Sequence, residues 1–123
     1  MVPNTLGFHD AVVVDLHQEG DLLVWHIEDV EETHGIEQSE RWTHVNGELI
    51  YEGVSHLKID DRDAPGGILF EGSNGGIRVL RNENGHAMID LVWESYDPPK
   101  EVPHRYSFKY RAVEWKQMGV ADA

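Results

Sequence analysis

The stretch His104-Arg105-Tyr106-Ser107-Phe108-Lys109-Tyr110-Arg111-Ala112-Val113 alternates apolar and polar side chains with a period of two. Tyr106, Phe108, Tyr110 and Ala112 fall on one face, and Arg105, Ser107, Lys109 and Arg111 fall on the other. That is the pattern of a half-buried β-strand, whose successive side chains leave the backbone in opposite directions; an amphipathic helix would repeat at about 3.6 residues. Outward from this strand the same period recurs along most of the chain, interrupted by turn dipeptides at short intervals.

Three hairpins are predicted from those interruptions. A two-residue loop at Glu19-Gly20 sets Leu16 opposite Leu23, Val14 opposite Trp25 and Val12 opposite Ile27 on one apolar face. Its other face carries Val13, Asp15 and His17 against His26, Val24 and Leu22. The pair Asn46-Gly47, preferred in type I′ loops, predicts a second hairpin with Trp42 across from Tyr51 and Thr43 across from Ile50. A third turns through Glu83-Asn84-Gly85, pairing Val79 with Ile89 and Ile77 with Leu91 and facing Arg78 with Asp90. A strict two-residue Asn84-Gly85 loop would set Val79 against Asp90, so the longer loop is preferred.

Residues 68–71 read as one further short strand, and loops are expected at 29–40, 60–67 and 97–103, the last because Pro98, Pro99 and Pro103 donate no ladder bonds. Helix is limited to a turn or two, placed at residues 29–39. A chain of 123 residues with four Trp, four Tyr and three Phe can bury one core, so residues 1–123 form a single domain. About eight strands joined by hairpins imply an all-β antiparallel sandwich or strongly curled sheet, since an open sheet would leave an apolar face wet.

Charge bounds the function. The formal net is -13, and residues 1–60 hold 13 acids against 2 bases, while residues 61–123 hold 10 against 8. Such a field opposes a polyphosphate backbone, so nucleic acid is not an expected partner. No cysteine is present, which excludes disulfides, thiol nucleophiles and thiolate metal sites and suits a reducing cytoplasm. No leader and no run of about 20 apolar residues is seen, so neither secretion nor membrane insertion is expected.

The densest negative stretch is 28–40, with Glu28, Asp29, Glu31, Glu32, Glu37 and Glu40 and no Lys or Arg. It reads either as a solvated loop that aids solubility or as a face that docks a basic protein, with Trp42 beside it as core residue or anchor. Eight His raise a metal question, and Asp15, His17 and His26 share one face of the first hairpin. Half-exposed strand histidines are more often solvated or bonded to a carboxylate. The run after Asp60 places Asp61, Asp63 and Gly66 as a calcium loop would, then fails at Pro65 and Gly72. No serine lies in a nucleophile elbow, the glycine pairs 66–67 and 75–76 lack the lysine of a phosphate loop, and no catalytic residue or cofactor is assigned.

The opening Phe8-His9-Asp10-Ala11 followed by Val12-Val13-Val14-Asp15-Leu16 resembles the start of a diverse set of small bacterial proteins, some assigned as immunity proteins of polymorphic toxin systems. Leu49-Ile50-Tyr51-Glu52-Gly53-Val54 and Tyr110-Arg111-Ala112-Val113-Glu114-Trp115 are similar to their middle and end. The resemblance implies a cytoplasmic binding protein that neutralises a toxin by covering a basic active site, with no catalysis of its own. Within the motif, Phe8 is expected to plug the core and His9 with Asp10 to bond at a strand start. Two other classes stand beside this one: a metal- or small-ligand-binding protein using Asp15, His17 and His26, and a structural module that self-associates through a sheet edge.

Overall fold

Among the described residues ten strands follow one another: β1 (Leu6–Gly7), β2 (Val12–Glu19), β3 (Leu22–His34), β4 (Arg41–Glu52), β5 (Ser55–Ile59), β6 (Arg62–Asp63), β7 (Asn74–Glu83), β8 (His86–Tyr96), β9 (Pro99–Lys109) and β10 (Ala112–Val120). The computed structural model describes residues 2–3, 5–34 and 41–120, with the side chains of residues 34, 41, 42 and 120 outside that description. Eight of the strands are five residues or longer, and no helix occurs among the described residues. None is therefore long and apolar enough to cross a membrane.

All pairings are antiparallel, in the order β10-β4-β3-β2-β7-β8-β9-β5-β6, with β1 added to β3. The sheet does not close, and it curls until its halves face each other. Tyr51 of β4 meets Phe108 of β9 edge-on at 4.8 Å between ring centroids, and Trp25 of β3 meets Tyr106 of β9 at 5.8 Å. One layer is thus β10-β4-β3-β2 and the other β7-β8-β9-β5-β6. They are joined by the short β2–β7 ladder at Val12 and Val13 and by two sharp corners, Gly53-Val54 and Tyr110-Arg111.

Between the layers lie Phe8, Val13, Trp25, Ile27, Leu49, Ile77, Ile89, Leu91 and Trp93 with the three rings above, all buried, and no polar residue is buried among the described ones. Each such side chain contributes about 1.5–3 kcal/mol relative to exposure. Beyond Val13, β2 has no β7 partner, and residues 64–73 cross that gap as a strap. Ile68 enters the core, and the Gln18 side chain ties it by accepting from the Ile68 N–H (2.9 Å) and donating to its carbonyl (2.7 Å).

The curled antiparallel architecture is as expected, while several registers differ. The first loop is Gly20-Asp21, and a bulge at Val14 carries the ladder from Val13↔Ile27 to Asp15↔His26 and Leu16↔Trp25. The third loop is the two-residue Asn84-Gly85 pair, both residues at positive φ (51 and 75). Its register does set Val79 against Asp90, and a bulge at Arg78 then restores Ile77↔Leu91, so a local irregularity resolves what loop length alone left in conflict.

Asn46-Gly47 is no turn: it lies inside β4, with Gly47 opposite Ile27 on one side and Gln117 on the other. Thr43, Ile50 and Tyr51 therefore share one strand, and Trp42 pairs with Thr33. Residues 29–34 continue β3 instead of forming a loop or helical turn, and residues 35–40 lie outside the described residues. Residues 68–71 are strap, β6 interrupts the 60–67 loop, and β9 begins at Pro99. Pro103 is tolerated because β5 pairs with β9 only from Tyr106 onward, leaving β9 an edge there. The strand read at 104–113 breaks at the Tyr110-Arg111 corner, after which the core-facing residues are Val113 and Trp115 and Ala112 is exposed.

Candidate functional site

The outer face of the β10-β4-β3-β2 layer collects the charge of the first half of the chain. Alternation from the buried Trp25, Ile27, Leu49 and Tyr51 sends Asp15, Glu48, Glu52 and Glu114 outward, and Glu31 with them. Glu28 and Asp29 stand exposed at a β3 bulge opposite Asn46, whose side-chain oxygen accepts the Asp29 N–H at 3.2 Å. That bulge holds Asp29 at φ 60, an uncommon conformation for a residue other than glycine. Lys116 is the one cation among the described residues of this face. At its centre Val24, already buried, and half-buried Ile50 are cross-strand neighbours.

The expected docking residues therefore divide. Glu28, Asp29 and Glu31 are exposed on this face, and Glu32 pairs with Thr43 on the opposite side of β3, partly buried. Glu37 and Glu40 lie outside the described residues, as does the Trp42 side chain.

The opposite layer is different. Its outer face is mixed, presenting Lys58, Arg81, Arg105 and Lys109 with Glu83, Asp90, Glu94 and Glu101. Arg105, and not Arg78, holds Asp90, through Nε to Oδ1 at 2.7 Å and Nη2 to Oδ2 at 3.0 Å. The two faces of the curled sheet thus differ in charge: six of the 13 acids of residues 1–60, Asp15, Glu28, Asp29, Glu31, Glu48 and Glu52, lie on the first, and the second is mixed.

Asp15 and His26 are direct partners in the ladder, with His17 next on the same face. Their polar atoms point elsewhere: Asp15 Oδ1 accepts the Leu16 N–H, His26 Nε2 lies 3.2 Å from Glu48, and His17 Nε2 lies 3.5 Å from Glu19. Among the described residues no group of three or more His, Asp and Glu is arranged to hold a metal ion. Phe8 is buried as expected, while His9 and Asp10 meet each other at 3.1 Å because they sit in a turn, where neighbours converge, and not in a strand.

Sequence reasoning missed the tightest polar cluster. His104 Nδ1 lies 2.6 Å from Asp60, and its Nε2 lies 2.6 Å from Glu71 on the strap. Asp60 also accepts the Arg105 N–H at 2.9 Å. That backbone bond, reinforced by His104, holds the Asp60 carboxyl below the usual carboxylate range. The signal was available, since period two from Tyr106 and Phe108 makes His104 inward-facing, and an inward histidine needs partners. With both ring nitrogens against carboxylates, the arrangement clamps the β5–β6 turn and the strap onto β9. Beneath it the Trp93 indole N–H donates to the Tyr106 hydroxyl, and burial pushes that phenol up to about 12.

Comparison with protein-family models, with characterised proteins and with solved structures finds no match to this chain.

Proposed function

We propose that the protein is a non-catalytic binding module that docks a basic protein through the acidic outer face of the β10-β4-β3-β2 layer. The observation that carries this reading is the segregation of charge by sheet face: Asp15, Glu28, Asp29, Glu31, Glu48, Glu52 and Glu114 share one side with a single described cation. A face of one sign steers and selects an oppositely charged partner. The resemblance of the Phe8-His9-Asp10-Ala11 opening to immunity proteins names the biological setting: a cytoplasmic inhibitor covering the basic active site of a toxin.

The experiment takes the basic proteins encoded beside this reading frame, measures binding to each, and follows association rates from about 50 to 500 mM salt. A cognate partner is expected to associate faster at low salt. The E28K/E31K variant should slow association by about tenfold or more, and reversal of Arg105 and Lys109 on the other face should leave it unslowed. Salt-independent association, or equal effects from both faces, rejects the reading.

A further inference from the structure

Strand β10 ends the sheet. One side is paired to β4 from Ala112↔Glu52 to Val120↔Val45, and among the described residues its other side makes no backbone hydrogen bond. The opposite end is β6, two residues long and too short to template a partner. An unpaired strand of nine residues presents a row of N–H and C=O groups that a further strand can complete.

The charges of β10 select that strand. Glu114 and Lys116 are its charged residues, both exposed and on the same outer face. Antiparallel pairing of two β10 edges about a twofold axis at Trp115 sets each Glu114 opposite Lys116 of the second copy. Sliding the register by two residues sets Glu114 against Glu114 or Lys116 against Lys116, and sliding by one sends each strand's side chains to the wrong face. Edge lysines ordinarily discourage pairing. Here the glutamate two residues away converts the lysine into a register filter, and the ladder shift between Gln117 and Gly119 limits the paired stretch to its symmetric centre. In that register Lys116 sits between Glu48 of its own β4 and Glu114 of the second copy, so in a chain of net -13 two copies meet at this edge with paired charges.

We propose that β10 pairs antiparallel with β10 of a second copy about Trp115, joining two curled sheets into one continuous sheet. The contact is small and the dimer correspondingly weak. Sedimentation at physiological ionic strength, up to about 1 mM protein, should show a dimer fraction rising with concentration. Two exposed ion pairs become two repulsions in E114K or K116E, which should each raise the dissociation constant about tenfold or more. An equimolar mixture of the two single variants restores both attractive pairs, as does the double variant E114K/K116E, and rescue in either case excludes misfolding as the cause. A wild type that stays monomeric throughout, single variants that associate as the wild type does, or a mixture that fails to associate would each overturn the proposal.

Discussion

At Gly47 the indole of Trp115 occupies the space in which a side chain would begin: an added Cβ would stand 2.5 Å from the ring and 2.6 Å from the Lys116 carbonyl oxygen. The glycine lets an aromatic ring on β10 cover the backbone of β4, and the same indole meets Phe8 at 5.6 Å. Gly47→Ala should destabilise by about 1–3 kcal/mol through the displaced indole, more than the roughly 0.4–1 kcal/mol gained by stiffening the unfolded chain, as read from urea midpoints. This is also why the residue misleads in the sequence: Asn-Gly is a turn signal, but here Asn46 serves the Asp29 bulge and Gly47 the Trp115 ring, and both partners are distant along the chain. Asp60 is the second such case. Its carboxyl is held low in the folded state, so it stabilises fully above the ordinary carboxylate range, and that contribution is lost as pH falls through its folded value. Asp60→Asn should therefore be less stable than wild type at pH about 7, with the gap closing toward pH about 3. A gap that widened on acidification would sink the assignment.

Among the elements, strands were legible wherever one face is buried, since the alternation of Tyr106 with Phe108 or of Ile89 with Leu91 records which side meets the core. Bulges and corners were not. The extra residues Val14 and Arg78 each shift a ladder by one, and the Tyr110-Arg111 corner changes which parity faces inward, with no composition cue at either. The strap escaped for a related reason, because Ile68 is held by a side chain 50 residues away and not by a ladder. Gln18 uses both amide atoms on the Ile68 backbone, standing in for the strand that β2 lacks there. Gln18→Ala leaves that N–H and carbonyl without partners and should cost about 1–3 kcal/mol. Amide exchange and proteolysis within residues 64–70 should rise well before global unfolding. Unchanged protection there would show that Ile68 burial alone seats the strap.

Over the whole molecule, a net charge of -13 makes the folded state repel itself, and the sorting of acids onto one sheet face concentrates that repulsion. Salt acts in two directions. It screens the general repulsion, and it weakens attractive pairs such as Arg105–Asp90, each of which contributes only about 0–1 kcal/mol when exposed. Because unbalanced acids far outnumber paired cations on the β10-β4-β3-β2 layer, screening of repulsion is the larger effect. The melting temperature should therefore rise by a few degrees between about 10 and 150 mM salt. The two layers should answer oppositely to neutralisation at low salt: Glu31→Gln, in the acidic field, should stabilise, and Lys109→Gln, on the mixed face, should destabilise. Both differences should shrink at high salt, because a neutralised charge matters only as far as its field reaches. If both substitutions shift stability in the same direction, the charge is not divided between the faces as the strand registers place it, and the acidic layer loses its distinction as a docking face.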